Sequence, residues 1–202
     1  MAKPIDFYFD FSSPYGYLAS EKIEALAAKH GRSVNWCPIL LGVVFKVTGS
    51  APLPNLPLKG DYAKRDFLRS AAFHGVPMKY PSTFPISGVA PTRAVIWLKG
   101  KDPAKVPALV KALYRALFVD DVNISDVESV IKVAASVGCN ADELRAALND
   151  QAIKDKTKGE VDAALAKGVF GSPYIVIDGE PFWGIDRFDQ IEKWLTTGGW
   201  YL

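Results

Sequence analysis

The run FDFSSPYGYLA, residues 9 to 19, carries an alternating apolar stretch straight into two hydroxyls and a proline. A serine followed by proline starts a helix: the Ser13 hydroxyl can accept from an orphan amide of the first turn, and Pro14 gives up no N–H that the helix needs. The same geometry could do chemistry. A helix N-terminus presents unpaired amides and partial positive charge, so a hydroxyl there can help hold an anion. If the anion is a thiolate, its share at neutral pH rises. A thiol with an ordinary pKa of about 8.5 becomes a useful nucleophile only when something of this kind stabilises its charged form. On these residues alone Ser13 is a cap, an anion holder, or each at different moments. Ser12 reads as its neighbour, able to replace it in a variant.

A strand must deliver Ser13 to that position. Ile5, Phe7, Phe9 and Phe11 alternate with Asp6, Tyr8 and Asp10, the period-two pattern of a strand. After Pro14 the positions Ala19, Ile23, Leu26, Ala27 and His30 share one helical face and stop at Gly31, which predicts a helix ending near residue 31. SVNWCPILL, 33 to 41, reads as a second strand, parallel to the first because a helix separates them. The chain then changes character. A loop rich in Gly and Pro (49 to 60) leads into helical patterns only, with Val106, Leu109, Val110, Leu113 and Leu117 on one face and Val127, Val130, Ile131 and Ala134 on another. Ser125 with Glu128, and Asn140 with Glu143, have the spacing of capping boxes. YIVIDGEPFW, 174 to 183, is a hairpin around Asp178-Gly179, and a last helix buries Phe188, Ile191 and Leu195. The expected organisation is an α/β sheet domain, 1–41 plus 169–202, interrupted by a helical domain, 42–168.

Composition narrows the partners. The 24 basic and 22 acidic residues nearly cancel, and no Lys/Arg run with interleaved aromatics follows a phosphate backbone, so nucleic acid is not expected. No stretch approaches the roughly 18 uninterrupted apolar residues of a membrane helix, and charges interrupt the first apolar stretch, so neither membrane insertion nor export is expected. Cys37 and Cys139 lie far apart and form no Cys-X-X-Cys, which gives neither a disulfide framework nor metal-ligand spacing. A reducing cytoplasm fits them, and no metal site is expected.

The order strand, helix, strand, helical insertion, hairpin and helix, with Ser172-Pro173 before the hairpin, resembles the thioredoxin-like fold of the DsbA type. In that fold a redox Cys-X-X-Cys opens the first helix, facing a cis-proline. Here the slots read Ser13-Pro14-Tyr15-Gly16 and Gly171-Ser172-Pro173. Without the cysteines, dithiol exchange at this position is excluded. Serine in the first cysteine slot resembles a narrower group, the kappa-class glutathione transferases and the 2-hydroxychromene-2-carboxylate isomerases. Carrying that resemblance are DFYFDFSSPYGYLA (6 to 19), LKGDYAKRD (58 to 66), HGVPMKYP (74 to 81) and FGSPYIVIDGEPFWGIDR (170 to 187).

The resemblance implies glutathione as the cofactor, with its sulfur beside Ser13. It implies a cis Pro173 that leaves the Ser172 amide and carbonyl free to pair with the cysteinyl part, as an added strand would. At Gly184, Ile185 and Asp186 the family's pattern places backbone amides against the γ-glutamyl carboxylate and the aspartate against the amino group; Ile185 stands where the pattern has serine. Asp186 is otherwise read as the N-cap of the last helix. Asn55 and Lys59 match residues near the glycine carboxylate or the second substrate, and Tyr62 and Arg93 are further candidates for substrate contact. Their alternative is plain surface polarity. His74 reads as packing at a helix end, His30 as a helix C-terminal residue, and Trp36 and Trp183 as walls of a ring pocket. The implied reaction is glutathione-dependent isomerisation of a small aromatic carboxylate, 2-hydroxychromene-2-carboxylate, to trans-o-hydroxybenzylidenepyruvate. A transferase and a non-catalytic binding module are the other readings, and the family analogy extends to a homodimer.

Overall fold

The structure, a computed structural model, describes residues 3–200. Four strands form one sheet in the order β2-β1-β3-β4. β1 (Ile5–Phe9) runs parallel to β2 (Val34–Pro38), with Phe7 opposite Trp36, and antiparallel to β3 (Tyr174–Ile177), which pairs in turn with β4 (Glu180–Trp183). The hairpin turns at Asp178 (φ 53°) and Gly179 (φ 99°), the left-handed pair that this turn requires. β2 stops at Pro38, which has no N–H to continue the ladder.

β1 is a central strand covered on both faces. On one side Phe7 and Phe9 meet Trp36 edge-on, and Phe9 meets Tyr114 of α6 (Val106–Phe118). That core continues into α5 (Val89–Lys101), α7 (Val127–Ser136) and α8 (Ala141–Asn149). On the other side Tyr8 and Tyr174 pack with Val44 of α3 (Leu41–Thr48) and Ala164 of α9 (Gln151–Ala166). α4 (Lys59–His74) lies against the start of the first helix, and α10 (Phe188–Thr197) buries Ile191 in the main core.

Three local expectations are corrected. The helix expected from 14 to near 31 is two, α1 (Pro14–Ser20) and α2 (Ile23–Lys29). The buried Ser20 hydroxyl donates to the Tyr17 carbonyl at 2.7 Å and the Lys22 amide closes back on Ala19, which tightens the chain and ends α1. β1 ends at Phe9; Phe11 lies beyond it, fully buried against Tyr114. The cap of α7 is Asp126, whose carboxylate accepts the Ser129 amide at 2.8 Å, while Ser125 turns to Asn123. Asn140 caps α8 as expected, accepting from the amides of Asp142 and Glu143.

Candidate active site

Ser13 is the N-cap of α1, in extended conformation (φ −115°, ψ 109°). Its hydroxyl accepts the Gly16 amide at 3.0 Å and donates to the Ser172 carbonyl at 2.8 Å. The Ser172-Pro173 peptide is cis. Contrary to expectation the Ser172 carbonyl is not free: one of its lone pairs holds the Ser13 hydrogen. The Pro173 carbonyl accepts the Gly184 amide at 3.1 Å, and Gly184 takes φ 105°, a conformation open to glycine. The following turn, Ile185–Arg187, packs against α1. Ser13, Ser172, Pro173 and Gly184 therefore lie in one bonded row.

Ile185 is buried in the core, 5% exposed as a whole residue. Asp186 is exposed, 3.1 Å from the Arg187 guanidinium, and makes no cap bond to α10. Asn55 and Lys59 are both exposed, one in the turn Leu53–Asn55 and the other at the first position of α4. α4 is tied to α1 through the Tyr15 hydroxyl, which donates to Asp66. Tyr62 points outward from α4 and its hydroxyl accepts from Arg69 at 3.1 Å. Arg93 is engaged elsewhere: its guanidinium donates to the Leu148 carbonyl of α8 and lines a cavity of about 180 Å³ with Ser87, Ser125 and Val127. Trp36 is only 4% exposed and belongs to the core beneath the sheet, so it walls no pocket. Trp183 is exposed beside the cis-proline loop, close enough that a Cβ on Gly171 would come 2.3 Å from its indole nitrogen. His74 ends α4 with its ring against Phe73, and His30 is the C-cap of α2.

Beneath the row lies a residue that the sequence reading passed over. Asp10 is 3% exposed. Its carboxylate accepts the Ser12 amide at 2.6 Å and the Leu41 amide at 2.8 Å. Its own amide donates to the Ser172 hydroxyl at 3.0 Å, and its carbonyl accepts the Tyr114 hydroxyl at 2.9 Å and the Ser13 amide at 3.0 Å. Burial pushes its carboxyl up to about 6, against the downward pull of the two amides. Gly16 completes the packing. Any Cβ there would come 2.7 Å from the Ser172 hydroxyl and 2.8 Å from that of Tyr114.

A cis-proline loop beside a helix N-terminus, on a sheet of this order with helices inserted between β2 and β3, is the arrangement of the thioredoxin-like proteins. The chain belongs to the DSBA-like thioredoxin family, whose model matches residues 4–196. Within it, the chain is 32% identical over 197 residues to a 2-hydroxychromene-2-carboxylate isomerase of Sphingobium xenophagum, covering 96% of this chain and 99% of that one. A kappa 2 glutathione transferase of Caenorhabditis elegans is 24% identical, over 96% of this chain and 92% of its own. Among solved structures, a 2-hydroxychromene-2-carboxylate isomerase superposes with a TM-score of 0.83 at 27% identity, over 95% of this chain and 94% of that one. None of the described helices is long and apolar enough to cross a membrane.

Proposed function

We propose that this protein is a glutathione-dependent isomerase that converts 2-hydroxychromene-2-carboxylate, or a closely related aromatic acid, to its trans-o-hydroxybenzylidenepyruvate form. The observation that carries the reading is the Ser13 hydroxyl, held at the N-terminus of α1 and donating a hydrogen bond to the Ser172 carbonyl of the cis-proline loop. Full-length similarity to proteins named as such isomerases supports the reaction class.

The residues present fit glutathione. The tripeptide carries an ammonium group, two carboxylates and a thiol, and the protein offers an exposed carboxylate at Asp186, an exposed cation at Lys59, an exposed amide at Asn55 and the half-buried Gly184; the backbone amide of Ile185 would join them. When bound, glutathione would supply a thiolate that adds to the conjugated side chain of the ring-opened substrate, permits rotation about what was a double bond, and departs unchanged. The protein's share is electrostatic and positional. Ser13 would swing its hydrogen from the Ser172 carbonyl to the sulfur, freeing that carbonyl and adding one donor to the positive end of α1. Ser172 and Pro173 would offer the backbone edge to the cysteinyl part. Tyr62, and more weakly Arg93 given its bond to α8, would meet the aromatic acid.

Domain limits of 1–41 plus 169–202 and 42–168, a homodimeric state and a cytoplasmic location belong to the same proposal; two free thiols, Cys37 and Cys139, suit that compartment. A kappa-type transferase is the second reading, supported by the kappa-class relative. Substrate decay followed by absorbance, with and without glutathione and with free thiol counted at the end, separates the two. Turnover that requires glutathione and leaves it unconsumed is expected. Stoichiometric loss of thiol would mean conjugation, and decay indifferent to glutathione would end both readings.

A further inference from the structure

A carboxylate buried without a cation needs a reason to stay ionised there. Asp10 is such a group. No Lys, Arg or His among the described residues pairs with it. Its carboxylate is met by two neutral donors, the Ser12 amide from the turn into α1 and the Leu41 amide from α3, while the Tyr114 hydroxyl from α6 donates to the main-chain carbonyl of Asp10. The Ser172 hydroxyl of the proline loop accepts the Asp10 main-chain amide, and before α5 Gly88 lies so near that a Cβ there would stand 3.5 Å from the carboxylate. Among the described residues Tyr114 is the titratable side chain brought against it, and burial holds that phenol neutral.

Leu41 is the first residue of α3, and the Leu40 N-cap supplies no side-chain bond. Asp10 therefore caps α3 from outside, its charge facing the positive end of that helix, while its other oxygen holds the turn that presents Ser13. One side chain joins the strand end, two helix starts and, through its backbone, the proline loop.

We propose that Asp10 is the positioning residue of this site: by holding the Ser12 and Leu41 amides together its carboxylate fixes the Ser13 hydroxyl against the Ser172 loop, and on taking up a proton it releases that turn. The chemistry follows from the donor inventory. Both groups opposite the carboxylate are N–H donors, so a protonated oxygen would point its hydrogen at another hydrogen, and one of the two bonds is given up. Burial brings this event near pH 6. Above that value the turn is held; below it the turn is loosened.

Two actions of Asp10 have opposite signatures. A bare negative charge beneath the site would oppose a nearby thiolate, so its removal would lower the thiol pKa. A positioning role predicts the reverse, because the donor aimed at the sulfur is lost. The part concerning the thiol rests on the glutathione reading; the part concerning the turn does not.

The first measurement is an amide NMR titration of the wild-type protein without glutathione. The Ser12 and Leu41 resonances are expected to move together with one midpoint near 6. Midpoints in the ordinary carboxylate range, or two amides that do not move together, would overturn the proposal whatever the enzyme's activity. The second is the thiolate absorbance of bound glutathione in Asp10→Asn. A thiol pKa higher by about one unit, a tenfold smaller thiolate share, is expected. An unchanged or lowered value would overturn the positioning role. If glutathione does not bind the wild type, the function reading fails while the amide titration still decides the role of Asp10, as it does if Asp10→Asn does not fold.

Discussion

Gly16→Ala is the sharpest probe of how closely α1 is seated. The added methyl would lie 2.7 Å from the Ser172 hydroxyl and 2.8 Å from the Tyr114 hydroxyl. Against an ordinary contact of roughly 3.5 Å, each oxygen must give by roughly 0.7 to 0.8 Å. Tyr114 is fully buried, so its ring has nowhere to retreat. Both oxygens are bonded to Asp10, at 3.0 and 2.9 Å, and a shift of that size breaks those bonds. Each lost buried bond costs about 1 to 3 kcal/mol, while alanine in a helix returns about 1 kcal/mol. With two bonds broken, the net expectation is a loss of roughly 1 to 5 kcal/mol, which for a chain of this size lowers Tm by roughly 2 to 20 °C. Circular dichroism melts measure the stability, and calorimetry measures glutathione affinity, expected to fall because the Ser172 loop is driven off Ser13. A Tm at or above that of the wild type, with glutathione affinity intact, would refute the packing argument.

Asp10 also makes a linkage prediction. Its carboxyl rises from 3.8 to about 6 on folding, so the folded state binds the extra proton in that interval and stability from this group falls as pH rises through it. The shift corresponds to roughly 3 kcal/mol at 1.36 kcal/mol per unit. The stability difference between Asp10→Asn and wild type, measured by urea unfolding, should therefore move in favour of the variant by up to that amount between pH 4 and pH 6.5; a difference that stays constant with pH would contradict it. At the rim, Lys59→Ala and Asp186→Asn should each raise KM for glutathione about tenfold, the loss of a charge-assisted contact worth roughly 1.5 kcal/mol, with kcat little altered. Unchanged KM in both would remove these residues from the binding site.

Much of the site could be read from local signals because it is built from them. Ser13 before Pro14 is a cap by composition, Asp178-Gly179 is a turn by its φ requirement, and the helix between β1 and β2 dictates a parallel pair. Non-local contacts carried the rest. Asp10 continues the polar phase of an alternating pattern, which ordinarily faces water; it follows the end of a central strand covered on both faces and is a buried junction instead. Trp36 and Arg93 were legible as residue types able to wall or anchor a pocket, yet their direction depends on the aromatic core around Phe7 and on the end of α8. The break between α1 and α2 depends on a serine bonding its own helix, which apolar periodicity does not register.

The pKa of the glutathione thiol bound to the wild-type protein and to Ser13→Ala, titrated by thiolate absorbance, tests the central proposal most directly. A wild-type value at least one unit below the ordinary value of about 8.5, returning toward it in the variant, is the expected result. The same pKa in both proteins would mean that the Ser13 hydroxyl caps α1 and holds no thiolate.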